Sequence, residues 1–268
     1  MLKESYETLK YEIKDRIILV KLNRPRVHNA FNITLLQDLV HILDAIDKSE
    51  EIRVVIFTGE GKSFSAGADL KWMQEIVNCT YEENLKDSDM IARVFYLIYT
   101  LSKPVIAAIN GGTFGGGMGF VGASDIVIAS EKALFSLSEV KIGVIPACIS
   151  PYLIKKVGEG ALKELFISGM RFSPEKALDI KLINYVVPHE KLMEFAFEKA
   201  RELLFCGPYA ISKCKELFLK VGDMNLKSAY DYTVTLIAKQ RIADEAQEGM
   251  KAFLEKRKPS WHPEDSKK

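Results

Sequence analysis

Apolar positions fall into short strand-like runs separated by helical stripes as far as about residue 190, and into helical stripes alone after it. Residues 6–22 read as two short strands, YETLKYEIK and RIILVKL, turned by Asp15-Arg16. Leu35, Leu36, Leu39, Val40, Leu43 and Ile46 then share one helical face, with Thr34 and Gln37 spaced as a capping box at its start. RVVIFTG (53–59) and PVIAAIN (104–110) are unbroken apolar runs of strand length, as buried strands require, and a helix is expected between them at 83–100. DIVIAS (125–130) and ALFSL (133–137) are again strand-like. This alternation predicts an α/β core with mainly parallel strands. Past Pro188 the chain reads as helical to residue 257, with breaks at Gly207-Pro208 and around Gly222. The expected organisation is a core over residues 1–190 that holds the active site, then a helical region over 191–268. The tail, KRKPSWHPEDSKK, is polar and expected to fray at its end.

Composition narrows the classes of function. A chain of 268 residues buries roughly three quarters of its unfolded surface and needs no metal or disulfide staple. Lys and Arg number 37 against 36 Asp and Glu, a net charge of +1, which argues against a dedicated nucleic-acid or anionic-membrane surface. At 48% hydrophobic and 27% charged residues the chain is an ordinary globular one. No apolar run approaches the ~20 residues that span a bilayer. The opening MLKESYETLKYEIKDR lacks the apolar segment of a signal peptide, and its four acids count against a transit peptide. Cys79, Cys148, Cys206 and Cys214 show no CxxC or framework spacing and read as reduced thiols of a cytoplasmic protein.

Several motifs fail on context. Gly117 to Gly122 satisfies GxGxxG, with Glu139 beyond it, but the first glycine lies seven residues past the preceding strand, where a dinucleotide site needs it at the strand–helix turn. Gly61-Lys62-Ser63 ends like a phosphate loop, but Ile56 stands where its leading glycine belongs. There is no GxSxG, and His28, His41, His189 and His262 lack zinc-ligand spacing. His41 reads as a packing or surface residue of the first helix, and Cys148 as a buried structural thiol.

Two glycine-rich segments remain, FSAGADLKWM (64–73) and NGGTFGGGMG (110–119), each leading into a helix. Small residues let backbone approach a ligand, and a helix start leaves unpaired N–H groups. Two such groups from separate strands form an oxyanion hole. The same glycines also serve tight turns and close strand–helix packing, and either segment alone leaves both readings open.

Together the two segments carry a resemblance. NRPRVHNAFN (23–32), FSAGADLKWM, the glycine cluster (111–119) and SEVKIGVIP (138–146) resemble the enoyl-CoA hydratase/isomerase family, the crotonase superfamily. GMRFSPEKALDIKLINYVVP (169–188) and EGMKAFLEKRKPSW (248–261) are similar to its later stretches, so the likeness covers nearly the whole chain. It implies a spiral of ββα turns followed by a helical region used in trimer assembly, as a homotrimer or a dimer of trimers. It also implies a cytoplasmic enzyme acting on an acyl-CoA thioester. No cofactor is implied beyond the coenzyme A of the substrate, no metal, and no nucleic-acid or membrane partner.

Carried over by position, the Ala68 and Gly116 backbone N–H groups would hold the thioester oxygen as an enolate develops. The Ala66 backbone would contact the adenine. Lys71 and Lys256 would lie near the 3′-phosphate of coenzyme A, the latter from a neighbouring subunit, with a solvated surface charge as the competing reading of each. Glu139 matches the second of the two acids of typical hydratases; the first falls on Gly119, which transfers no proton. GGGMGF and FSLSEVKIGVIPACISPYL resemble bacterial hydratases of the methylglutaconyl-CoA type. The resemblance thus implies addition of water to a 2-enoyl-CoA with Glu139 as the acid/base. A Δ3-Δ2 isomerase using Glu139 alone, or a silent acyl-CoA-binding relative, are the alternatives. Gly119 is expected to face the site opposite Glu139, and Asp69 to cap the helix it precedes.

Overall fold

The computed structural model describes residues 1–263. Strands β1 (Leu9–Lys14) and β2 (Ile17–Leu22) form the expected hairpin. Its turn residues Asp15 and Arg16 both have positive φ (49° and 65°), as a two-residue turn between right-twisted strands requires. Helix α1 (Ile33–Asp47) starts earlier than its capping-box pattern suggests. Asn32 is the cap, accepting the Leu35 N–H at 2.9 Å, and Thr34 is already helical.

The hairpin opens a six-stranded sheet. Beside β2 lie β3 (Val54–Gly59), then β5 (Val105–Ile109), β7 (Ile126–Ser130) and β10 (Tyr185–Val187), in the order β1-β2-β3-β5-β7-β10. From β2 onward every neighbouring pair is parallel. Both faces are covered, so these strands read as continuous apolar runs. Val54 and Ile56, with Leu19, Ile106 and Ile128, face helix α8 (Leu192–Leu204). The alternate residues Val55 and Phe57, with Val20, Ala107 and Val127, face the main core with α1.

A second sheet is built from shorter strands: β4 (Ser63–Ser65), β6 (Gly112–Phe114), β8 (Leu134–Ser136) and β9 (Arg171–Phe172), in that order. β4, β6 and β8 are parallel, and β9 runs antiparallel to β8. Each of the three parallel strands follows a strand of the large sheet and leads into helix. β3-β4 runs into α2 (Leu70–Ile76) and α3 (Tyr81–Thr100), and β5-β6 into α4 (Met118–Ala123). β7-β8 leads through 3-10 turns into α5 (Ser150–Val157) and α6 (Glu159–Ser168). These are the successive ββα turns of the expected spiral. Helix α7 (Pro174–Asp179) then returns the chain to β10.

After α8 come α9 (Pro208–Lys220), α10 (Leu226–Ile242) and α11 (Asp244–Leu254), with breaks at Gly207-Pro208 and at a 3-10 turn over Val221–Asp223. The expected fraying at the end of the tail lies outside the described residues. Among the described residues no helix is long and apolar enough to cross a membrane.

Candidate active site

Parallel strands place their carboxyl ends along one edge, and ligands of α/β sheets bind there. In the small sheet that edge gathers all three segments of interest. Ala68 lies three residues past β4, Gly116 two past β6, and Glu139 three past β8. Since these strands are neighbours in the order β4-β6-β8, residues far apart in sequence become adjacent.

The first turn is shaped by the loop before α1. Phe31 forms an isolated parallel bridge with Ala68: the Phe31 N–H donates to the Gly67 carbonyl at 2.6 Å, and the Asp69 N–H to the Phe31 carbonyl at 2.8 Å. In such a bridge the partner residue's own N–H points away from the pairing strand. The Ala68 N–H is therefore turned outward, and it has no acceptor among the described residues. Gly67 holds φ +86°, a conformation that disfavours any side chain, and Ala68 is exposed.

The second turn is a 3-10 turn at Gly115–Gly117 running directly into α4. Its i+3 pattern leaves the Gly116 N–H unpaired within the turn, at the positive end of the helical segment. Phe120 anchors that segment, with ring centroids of Phe57, Phe64, Phe95 and Phe31 at 5.2–6.2 Å. The two turns touch. A Cβ on Gly67 would lie 3.5 Å from both Gly115 Cα and Gly116 N. The two turns thus bring two N–H groups onto adjoining backbone, the arrangement an oxyanion hole requires.

Glu139 stands in a 3-10 turn (Ser138–Ile142) beside both glycines. A Cβ on Gly115 would stand 3.5 Å from Glu139 Oε1 and 3.8 Å from Gly67 Cα. Oε2 is buried and has no hydrogen-bond partner among the described residues. Burial raises the carboxyl pKa above its ordinary value, against a smaller opposing effect of a backbone hydrogen bond. A desolvated carboxyl with one oxygen unpaired, at the carboxyl ends of parallel strands, has the properties of a proton-transfer group.

The remaining expectations divide. Ala66 lies in the first turn, its N–H engaged by the His28 carbonyl at 2.9 Å. Asp69 caps α2 as expected, accepting the Lys71 N–H at 2.9 Å. Lys71 is exposed on the first turn of that helix. Lys256 follows α11, and its N–H donates to the Phe253 carbonyl. Its segment is tied by Trp261, whose ring N–H donates to the Phe205 carbonyl at the end of α8.

Gly119 corrects its expectation. It is buried, and a Cβ there would point into the Phe95 ring, whose carbons lie 2.3–2.7 Å away. The helical twist from Gly116 to Gly119 turns residue 119 toward the core aromatic cluster, so no acid fits there. Cys148 is half-buried rather than buried, its thiol donating to the Ser88 carbonyl at 3.6 Å. His41 accepts or donates at Nδ1 to the Tyr6 hydroxyl at 2.8 Å, a packing role.

Sequence reasoning missed Arg24 and Phe31. Arg24 reaches Asp69 with Nη2–Oδ2 at 2.8 Å, and Phe31 supplies the bridge that orients Ala68. Both lie within the NRPRVHNAFN motif, but their roles do not show there, because both partners lie more than 35 residues away. A separate cavity of about 310 Å³ at the far end of α4 is lined by Tyr99, Tyr152 and three lysines, each already engaged: Lys156 by the Val121 and Ser124 carbonyls, Lys155 by Asp223, and Lys215 by Asp125 and the Lys103 carbonyl.

The chain matches the family described as Enoyl-CoA hydratase/isomerase over residues 12–264 and belongs to that family. An enoyl-CoA hydratase structure from Shewanella pealeana superposes with a TM-score of 0.94 at 34% identity, covering 97% of this chain and 98% of that one. A Legionella pneumophila structure provisionally described as an enoyl CoA hydratase/isomerase (crotonase) is 43% identical, with a TM-score of 0.89, over 96% of this chain and all of the other. The short-chain-enoyl-CoA hydratase of Clostridium acetobutylicum is 32% identical over 92% of this chain and 94% of its own length. The fold is the crotonase spiral.

Proposed function

We propose that the protein is an enoyl-CoA hydratase that adds water to a 2-enoyl-CoA thioester with one carboxylate, Glu139. The observation that carries the reading is the Glu139 carboxyl packed against Gly115 where the two N–H-bearing turns meet. The Ala68 and Gly116 N–H groups hold the thioester oxygen. They stabilise the enolate more than the neutral substrate, because its charge appears only along the reaction path. Glu139 takes a proton from the water that attacks C3, and a proton reaches C2 from the Glu139 carboxylic acid or from solvent. One proton and one hydroxyl are thereby added across the double bond.

Coenzyme A enters as part of the substrate, with no further cofactor. The Ala66 backbone meets the adenine and Lys71 the 3′-phosphate. Lys256 serves the 3′-phosphate in a neighbouring copy of the chain. Self-assembly as a trimer or dimer of trimers has support in α10, none of whose residues is buried. It exposes Leu226, Tyr230, Val234 and Ile237 along one stripe, an apolar face of the kind that interfaces cover. A cytoplasmic location is the reading that the four free cysteines support.

Double-bond migration is the less favoured reading, since the Shewanella and Clostridium relatives are named as hydratases alone. Incubation with a series of 2- and 3-enoyl-CoA thioesters, with products identified by mass, tests the proposal. A gain of one water on a 2-enoyl-CoA is expected. Isomerisation of a 3-enoyl-CoA without hydration, or binding with no turnover, overturns it.

A further inference from the structure

We propose that Arg24 is a positioning residue that holds the Ala68 turn and neutralises the Asp69 carboxylate beside the oxyanion hole. The inference rests on the hydratase reading and adds a residue to its machinery.

The geometry is a clamp around the Phe31–Ala68 bridge. Arg24 Nη2 donates to Asp69 Oδ2 at 2.8 Å, and Nη1 donates to the Ala30 carbonyl, so one guanidinium grips the residue before Phe31 and the residue after Ala68. The Arg24 backbone is itself held from behind. Its main-chain N–H donates to Asn29 Oδ1 at 2.8 Å, while Asn29 Nδ2 donates to the Glu60 and Ser63 carbonyls at 3.0 and 2.8 Å. Asn29 is fully buried, and both it and His28 have positive φ (56° and 52°), so the loop that presents Arg24 is held in an uncommon conformation by these bonds. Asp69 is 6% exposed, and its other oxygen accepts the Lys71 N–H.

The electrostatic consequence is specific to catalysis. The Asp69 carboxylate is one residue from the Ala68 donor, in a low-dielectric setting. Left unpaired, its negative charge opposes the enolate oxygen more than the neutral thioester oxygen, and so raises the barrier without weakening substrate binding equally. A clamp acting through folding alone leaves no such asymmetry.

The test is a double-variant cycle on the full chain, reading kcat and KM for crotonyl-CoA together with the thermal melt. Arg24→Met is expected to lower kcat about tenfold or more with KM changed by less than about threefold. Asn serves as well as Asp at a helix N-cap, so Asp69→Asn keeps α2 capped while removing the charge. Added to Arg24→Met, it is expected to restore kcat to within about threefold of the Asp69→Asn single variant. Arg24→Lys, which keeps the charge but loses the fork, should fall between wild type and Arg24→Met, and it serves if Arg24→Met does not fold. Wild-type kcat in Arg24→Met, or a double variant no faster than Arg24→Met, overturns the role. With Arg24→Lys alone, unchanged kcat does the same. A wild-type chain that hydrates no 2-enoyl-CoA overturns the hydratase reading itself, and Arg24's role with it.

Discussion

The carboxyl of Glu139 fills the space beside Gly115, where a methyl group would stand 3.5 Å from Oε1 and 3.7 Å from Cδ. Gly115 also holds φ +50°. Both facts bear on Gly115→Ala. The left-handed backbone costs an alanine about 1–2 kcal/mol of stability. The new methyl touches the carboxyl and lies against the turn that carries Gly116. The methyl makes an ordinary contact at 3.5 Å, so a kcat fall of about 10–100-fold is expected from relaxation of the left-handed turn that carries Gly116, in a protein that still folds. Steady-state kinetics on the folded variant check it.

Gly119→Glu should gain no activity. The added side chain starts inside the Phe95 ring, so overpacking alone costs about 1–3 kcal/mol and a buried, unpaired carboxylate adds to that. A lower melting temperature, with hydration no faster than wild type, is the expected result. A stable variant with faster hydration would place residue 119 in the cleft after all.

Burial raises the Glu139 pKa, and this fixes two signs. A general base works ionised, so kcat should begin to fall on acidification at a pH above the ordinary Glu value of about 4.3. For stability, the folded state binds this proton more tightly than the unfolded chain does. The resulting stabilisation is complete below the unfolded pKa and is lost as pH rises through the folded one. Glu139→Gln has no charge to bury, so it should melt higher than wild type near neutral pH and show little difference in acid. Paired melts across pH measure this; a variant that melts lower at neutral pH contradicts the burial account.

The long strands were readable because buried parallel strands are apolar on both faces, as in Val54–Gly59 and Val105–Ile109. β4, β6 and β9 span three residues or fewer, too short for any period to show. Yet β4 and β6 aim the two turns. Glu139, Ala68 and Gly116 enter the proposed site through family likeness: backbone donors leave no side-chain signature, and a lone acid has no motif of its own. The Arg24–Asp69 pair joins residues 45 positions apart, which no local pattern reveals. Gly119 failed for a related reason: the side of α4 it occupies depends on where Phe95, from another helix, packs.

The central claim is that Glu139 moves the proton, and Glu139→Gln tests it most directly. The amide keeps the size and the hydrogen-bonding capacity of the side chain while removing its basicity. Positioned acid–base groups contribute about 10²–10⁴-fold, so kcat should fall by at least that range's lower bound. Affinity for a CoA thioester should persist, because backbone N–H groups hold the thioester oxygen. The measurement is kcat and thioester affinity on the same folded variant. A fall of 100-fold or more (about 10²) with affinity retained is the predicted result. A fall of less than about tenfold with affinity intact would mean that another group carries the proton.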